Sequence, residues 1–121
     1  MYNLAKEMLD YLIGKINSKL EIATQIKGVF YNIPLNQLYP FIHICNITLK
    51  NYGVKNDTAI EVTFDLTIYC KANDFARLNQ ISDDLANLLT QEKNIIVQNS
   101  KITLSSKTNI YENKINMKFI I

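Results

Sequence analysis

Residues Ala59–Cys70 read AIEVTFDLTIYC and show the clearest pattern in the chain. Apolar side chains occupy every second position from Ile60 to Ile68. The positions between them hold Glu61, Thr63, Asp65 and Thr67. Because successive side chains of a β-strand point to opposite faces, this alternation predicts one long strand with a buried face and a wetter face. Its eleven residues from Ile60 would span about 36 Å, so we expect part of it to project beyond the body of the domain.

Two more strands are predicted on the N-terminal side of this stretch. Phe41–Leu49 is rich in β-branched residues and directly follows Pro40, a residue that is tolerated at the start of a strand. The polar segment Lys50–Asp57 then predicts the tip of a hairpin between the two long strands. A short strand is predicted further upstream, at Val29–Tyr31.

Two amphipathic helices are predicted. Apolar residues recur at steps of three and four between residues 2 and 20, and Gly14 inside this helix would allow a neighbouring element to approach closely. Asn73 and Asp74 carry side-chain oxygens that can cap a second helix, which ends near residues 91–94. The core stripe of this second helix consists of Phe75, Leu78, Ile81, Leu85, Leu88 and Leu89.

The C-terminal third predicts the last part of the sheet. Ile95–Val97 is a connection or the start of a strand, and Ile102–Leu104 and Ile115–Ile121 are strands joined through Lys107–Asn113. The order of elements is therefore α, β, β, β, α, β, β. This order predicts the α+β class, with a mainly antiparallel sheet of four to five strands, two helices packed on one face, and a single domain over residues 1–121.

Composition and charge exclude several classes of protein. The 121 residues include thirteen Lys and Arg against eleven Asp and Glu, a net charge of +2, which argues against a strongly electrostatic nucleic-acid binder. Only three glycines and two prolines argue against a glycine-rich nucleotide cradle. Acidic residues interrupt the apolar residues near the N-terminus, so we expect no signal peptide, no membrane span and a cytoplasmic location.

His43 is the only histidine, and two hairpin registers place it differently. A register that pairs Leu49 with Ala59 sets His43 opposite Asp65, where the two could form a functional pair. A register shifted by one residue sets His43 opposite Leu66 and better matches the apolar residues of the two strands. A catalytic histidine needs a nucleophile or an orienting carboxylate, so a histidine within or at the rim of the core is the simpler expectation.

The two cysteines, Cys45 and Cys70, are expected to be free thiols that serve as small packing residues. Either register separates them by roughly 20 Å along the ladder, whereas a disulfide needs Cα atoms within about 7 Å. One histidine and two distant cysteines cannot supply four clustered metal ligands, so neither a metal nor a cofactor is predicted.

The carboxylate pairs and the absence of catalytic sequence motifs also favour a protein that is not an enzyme. Asp83 and Asp84 point about 100° apart on a helix, and Glu61 and Asp65 are expected to be solvated charges on one strand face. No Walker sequence, G-x-S-x-G motif or dinucleotide fingerprint is present.

One basic and aromatic cluster stands out, formed by Tyr52 with Lys50 and Lys55 in the hairpin tip. Aromatic residues beside lysines can stack on single-stranded nucleic acid. A protein contact or a plain surface aromatic is the simpler expectation for so small a cluster.

Taken in order, several segments resemble the tail-completion (tail terminator) proteins of long-tailed phages, prophages and gene transfer agents. The resemblance covers nearly the whole chain and depends on patterns of apolar residues and one proline. The segments are Val29-Phe30-Tyr31, Tyr39-Pro40-Phe41-Ile42-His43-Ile44, Leu66-Thr67-Ile68-Tyr69-Cys70, Asp74-Phe75-x-x-Leu78-x-x-Ile81-x-x-x-Leu85 and Met117-Lys118-Phe119. The chain departs from many relatives in its scarcity of Arg, Gly and Trp.

The resemblance implies a structural protein without catalytic residues or cofactors. Proteins of this kind form rings, commonly hexamers, that cap the head-proximal end of the tail tube and stop polymerisation of the major tail protein. The implied partners are copies of the chain itself, the major tail tube protein and the head completion or connector protein. No membrane and no sequence-specific nucleic acid is implied. The implied locations are the bacterial cytoplasm during assembly and the head–tail interface of the virion.

The polar strand face and the hairpin tip are the surfaces that we expect to contribute to assembly. Opposite charges on the strand face could pair within the sheet or between subunits, or the face could simply be solvated. The candidate assembly contacts are Lys50, Tyr52, Lys55, Glu61, Asp65, Lys114 and Lys118. The alternative function is a small α+β module that binds a peptide or RNA.

Overall fold

The computed structural model describes residues 4–54, 57–92 and 94–120, with side chains for residues 6–50, 61–92 and 94–120. Five strands form one sheet in the order β1-β2-β3-β5-β4. Every neighbouring pair is antiparallel except β1 with β2, which is parallel. The elements are α1 (Leu4–Ser18), α2 (Leu20–Ala23), β1 (Val29–Phe30), β2 (Phe41–Val54), β3 (Asp57–Lys71), a 3-10 turn (Ala72–Asp74), α3 (Phe75–Thr90), β4 (Ile95–Ser105) and β5 (Ile110–Ile120). The predicted α+β fold with a mainly antiparallel sheet is confirmed.

The helices pack against one face of the sheet, as predicted. The alternating apolar side chains of β3, from Val62 to Cys70, all belong to the buried core. Side chains of β2 and β5 lie beside them in register, such as Ile44 and Ile115 on either side of Leu66. The helices supply the other half of this core with Met8, Leu12, Ile16, Ile22, Leu78, Ile81, Leu85, Leu88 and Leu89. We call this side of the sheet the helix face.

The hairpin between β2 and β3 is longer and tighter than predicted. The two strands remain paired up to Val54 opposite Asp57, where the sequence had indicated a loop over Lys50–Asp57. Both predicted registers are wrong, because Leu49 lies opposite Val62 and His43 lies opposite Thr67. The fifteen residues of β3 span about 50 Å.

A β-bulge explains why no single register fits the hairpin. Between the pairs Cys45–Asp65 and Thr48–Thr63, strand β2 has two residues where β3 has only Phe64. Asn46, the first bulge residue, has a left-handed φ of 56°, a conformation that asparagine tolerates better than most residues. The extra residue keeps the apolar residues on both sides of the bulge on the helix face. It also leaves Cys45 on the opposite face, away from the apolar set to which the sequence had matched it.

Several predicted boundaries also shift. The first helix ends at Ser18 and a short α2 follows, and β4 is one continuous strand where the sequence indicated a connection and a short strand. The side chain of Asp74 makes no capping hydrogen bond and instead forms an ion pair with Arg77, with Nε and Oδ2 3.1 Å apart. Phe75 is partly exposed at the edge of the core, where its ring contacts Tyr111 edge-on at 4.8 Å.

Gly14 offers a direct gain in stability, because a Cβ at this exposed helix position would meet no atom within 4 Å. The close approach that the sequence suggested is therefore absent at this residue. Gly14→Ala should raise the free energy of unfolding by about 0.5–1 kcal/mol, since glycine weakens a helix interior. The matched control is Gly28→Ala. Gly28 has a φ of 155° and an added Cβ there would overlap the Phe30 ring, so this change should cost about 1–3 kcal/mol. Urea denaturation of both variants measures the difference, and a loss of stability at Gly14 would contradict the prediction.

An ionic contact joins α1 to the turn between α3 and β4. The Glu92 carboxylate accepts a hydrogen bond from the Tyr11 hydroxyl at 3.1 Å and pairs with the Lys15 ammonium at 2.9 Å. The hydrogen bond to Lys15 lowers the pKa of Glu92, and the same bond raises the pKa of Lys15. The contact therefore stabilises the folded state while Glu92 is ionised.

The acid stability of the protein should depend on this contact. The folded-state pKa of Glu92 lies below its ordinary value of 4.5, so the contribution is present above that pH and is lost as the pH falls through the folded-state value. Glu92→Gln should therefore lower the melting temperature at pH 7, and the difference from the unchanged chain should disappear well below pH 4.5. Thermal melts across this pH range test the prediction, and a difference that grows in acid would contradict it.

Candidate functional site

The face of the sheet opposite the helices holds most of the predicted assembly residues. We call it the open face, and its side chains include His43, Cys45, Glu61, Thr63, Asp65, Thr67, Tyr69, Lys114, Asn116 and Lys118. The sequence predicted a wet face here. The structure instead buries Glu61, Asp65 and Thr67 on the central strand, and side chains of β2 and β5 contact the two carboxylates.

Glu61 and Lys118 form an ion pair within the sheet. Their Oε1 and Nζ atoms are 2.9 Å apart, and Glu61 is only 5% exposed. Lys118 lies diagonally across from Glu61 on β5, while Lys50 lies directly opposite Glu61 on β2. A carboxylate that is removed from water needs such partners, so this contact joins β3 to β5 within one subunit.

Asp65 is held by two asparagine side chains. The amide Nδ2 of Asn46 donates to Asp65 Oδ2 at 2.7 Å, and Asn116 donates to the other carboxylate oxygen. The bulge in β2 brings Asn46 to this position, so the contact could not be predicted from the alternation of residues in the sequence. Asp65 is 8% exposed, so its carboxylate stabilises the sheet rather than presenting a free charge.

Two of the remaining predicted assembly residues, Lys50 and Lys114, lie on the open face. Lys50 and Lys114 are exposed, and Lys114 lies opposite Lys101 of β4, so two like charges are neighbours there. The backbone of Tyr52 lies in β2 opposite Ala59. Lys55 lies outside the described residues.

His43 is half-buried beside an aromatic cluster at the β1 end of the open face. Its Nε2–H donates to the carbonyl oxygen of Tyr31 at 3.0 Å, and its ring lies 6.5 Å from that of Tyr69. Phe41 stacks on Tyr69 at 5.0 Å and contacts Tyr39 at 5.3 Å. The position fits the predicted histidine at the rim of the core, and its partner across the ladder is Thr67 rather than a carboxylate.

Both cysteines are free thiols, as predicted. Burial raises the pKa of Cys70, whose Sγ donates to the carbonyl oxygen of Asp74 at 3.3 Å. Burial and the nearby Asp65 charge raise the pKa of Cys45. Both thiols are therefore poor nucleophiles at neutral pH.

Asp83 and Asp84 line different cavities, as expected from their angular separation on α3. The carboxylate of Asp84 accepts hydrogen bonds from Gln25 at 2.9 Å and Gln80 at 3.1 Å. Within residues 4–54, 57–92 and 94–120, no three His, Cys, Asp or Glu side chains come close enough to hold a metal ion. In the same part of the chain, no helix has the length and apolar character needed to cross a membrane.

A groove between α3 and β4 is a feature that the sequence did not reveal. It encloses about 190 Å³, and its apolar lining comes from Ala86, Leu89, Val97 and Ile115. Its polar lining includes Ser82, Asp83, Ser100 and Asn113. Because these residues come from three separate elements, only the folded chain brings them together.

The side chain of Asn113 is the most buried polar group of this groove. Its Nδ2 donates to the Ser82 hydroxyl at 2.8 Å, and that hydroxyl donates to the Leu78 carbonyl oxygen at 2.7 Å. This chain of bonds fixes the amide orientation, because the Ser82 hydroxyl has a single proton and can only accept from Asn113. The Oδ1 of Asn113 is then buried without a donor among the described residues, an arrangement that costs about 1–3 kcal/mol.

The loop of residues 31–38 is the second surface that sequence patterns missed. Leu35 is 93% exposed and Leu38 is 68% exposed, while Tyr31 and Ile33 are about half exposed. Asn36 has a φ of 60° and forms part of a turn at the loop tip. A loop with four exposed apolar residues and no charged residue is typical of a protein contact surface.

Comparison with known proteins identifies the fold. No family model matches the chain, and no curated protein sequence matches it. Among solved structures, it is similar to a chain of the virion of a native gene transfer agent particle, with a TM-score of 0.75 and 10% sequence identity. The match covers 88% of this chain and 88% of that chain. At this identity the likeness shows a common fold, so this chain shares the fold of a chain in a gene transfer agent particle.

Proposed function

We propose that this chain is a structural tail-completion (tail terminator) protein of a phage-like particle. In this role, copies of the chain form a ring, commonly of six, that caps the head-proximal end of the tail tube. The ring stops polymerisation of the tail tube and offers a surface to the head connector. The chain would act in the bacterial cytoplasm during assembly and at the head–tail interface of the finished particle.

The observation that carries the proposal is the fold match to a virion chain across 88% of both chains. The resemblance to tail terminators is a separate support for the proposal, because it depends on the order of apolar patterns along the sequence. A non-enzymatic role agrees with the half-buried His43, which bonds a backbone carbonyl, and with two thiols of raised pKa.

The physical requirements of a ring subunit also support the proposal. In a closed ring each subunit presents two different surfaces to its neighbours. The two edges of the sheet differ. Strand β4 forms one edge, and the other consists of the short β1 and of the part of β2 beyond His43. Unpaired strand edges carry backbone groups that a neighbouring chain can bind.

The predicted assembly residues divide into two groups under this proposal. Lys50 and Lys114 are exposed and would contact neighbours directly. Glu61, Asp65 and Lys118 form bonds within the sheet and would keep that surface rigid. Tyr52 and Lys55 in the hairpin tip remain proposed contacts with the tail tube or the connector.

Light scattering on the purified chain tests the ring. We expect a particle of about six times the 14.0 kDa chain mass. A chain that remains at 14.0 kDa at every concentration would contradict ring formation and favour a monomeric module that binds a peptide or RNA. Native mass spectrometry at the same concentrations would then count the subunits in each species.

A further inference from the structure

The groove between α3 and β4 and the loop of residues 31–38 lie at opposite edges of the sheet. The groove borders β4, the last strand in the sheet order, whereas the loop joins β1 to β2 at the other end. Four strand spacings separate these edges, roughly 20 Å. The loop of one chain therefore cannot fill the groove of the same chain.

The two surfaces are complementary in polarity. The loop exposes four apolar side chains, and the groove is lined by four others. The buried Oδ1 of Asn113 has no donor within the part of the chain that the structure describes, while Asn36 at the loop tip is exposed and its side-chain amide is a donor. Lys27 is exposed beside β1, and Asp83 is exposed at the groove, so opposite charges flank the two surfaces.

We propose that the 31–38 loop of one copy docks into the α3–β4 groove of the next copy, with Leu35 in the apolar part and a loop amide bonded to Asn113 Oδ1. This inference rests on the proposed ring and identifies the contact that builds it. A protrusion and a groove at opposite edges give a head-to-tail contact, which every subunit repeats until the ring closes.

Disulfide trapping tests the contact directly. The variant carries Leu35→Cys and Ser100→Cys, with Cys45→Ser to remove the half-buried native thiol. Ser100 is exposed and lines the groove. Mild oxidation should produce a ladder of cross-linked multimers up to the ring size. The matched control replaces Leu35→Cys with Leu20→Cys, because Leu20 is a similarly exposed leucine (74%) on α2, and it should give only background cross-linking.

A charge in the loop gives a second measurement. Leu35→Asp should raise the concentration needed for assembly at least about tenfold, because an aspartate cannot enter the apolar groove. Leu20→Asp should leave assembly unchanged. Circular dichroism of both variants checks that each chain remains folded.

The outcomes separate this inference from the proposed function. An oligomer by light scattering without cross-linking above the Leu20 control would overturn the loop–groove contact and leave the ring standing. Efficient dimers from Ser100→Cys alone would overturn it in favour of a groove-to-groove contact. A monomer without cross-links would overturn both the contact and the ring. A full ladder together with unchanged tail lengths in cells that lack the chain would support the contact and contradict the terminator role.

Discussion

Lys118→Met is expected to lower the free energy of unfolding by about 3 kcal/mol, because it removes the ammonium that pairs with the buried carboxylate of Glu61. Glu61 is 5% exposed, and its Oε1 lies 2.9 Å from the Lys118 ammonium. The matched control is Lys114→Met on the same strand. Lys114 is exposed and lies opposite another lysine, so its loss should change stability by less than about 0.5 kcal/mol. Urea denaturation at one fixed protein concentration measures both variants.

The exchange of the two charges completes this test. The double variant Glu61→Lys with Lys118→Glu should recover part of the stability that either single change loses, since the pair remains possible while a lysine at position 61 would lie opposite Lys50. Unchanged stability in Lys118→Met, together with a smaller particle by light scattering, would show that the pair acts between subunits. That result would contradict the contact within the sheet.

Leu66→Ala is expected to lower the free energy of unfolding by about 3–5 kcal/mol and the melting temperature by roughly 10–20 °C. Leu66 is fully buried at the centre of β3, between Ile44 and Ile115. Removing its branched side chain leaves a cavity between the sheet and the helices. Loss of secondary structure on heating can be followed by circular dichroism.

The control for this core variant is Leu104→Ala. Leu104 is about half exposed on β4, and its loss should cost less than about 1 kcal/mol. Equal losses at the two positions would contradict the assignment of β3 as the centre of the core.

The sequence predicted those parts of the fold that repeat a regular pattern. The alternation in β3 identified its buried face, because a central strand packs the same face against helices along its length. The buried stripe of α3 from Leu78 to Leu89 was predicted in the same way, since each helical turn places a leucine or isoleucine against the sheet. The prediction that Phe75 belongs to this buried stripe was wrong. Phe75 is the first residue of the helix and lies at the edge of the core, where its ring contacts Tyr111.

The register of the long hairpin could not be obtained in the same way. A single extra residue at the bulge shifts the pairing without changing the composition of the run from Phe41 to Leu49. The left-handed φ of Asn46 is favourable for asparagine, but an asparagine in a β-branched run also fits an ordinary strand. The predicted registers therefore paired His43 with Asp65 or Leu66, whereas the structure pairs it with Thr67.

The candidate site was predictable only in part. Sequence alternation placed Glu61, Asp65 and Lys118 on one face, and all three lie there. It could not show that the carboxylates are buried, because the covering side chains come from β2 and β5. The groove around Asn113 could not be predicted from the sequence either, because α3, β4 and β5 each supply part of its lining.

Electron microscopy of tails made without this chain tests the proposed function most directly. The coding sequence would be deleted from the mobile genetic element that carries it, and particle production would be induced. Tail lengths would then be measured with and without a plasmid copy of the coding sequence. We expect tails that extend past the normal length and do not join heads, with normal particles restored by the plasmid copy. Tails of unchanged length joined to heads in the deletion strain would contradict it.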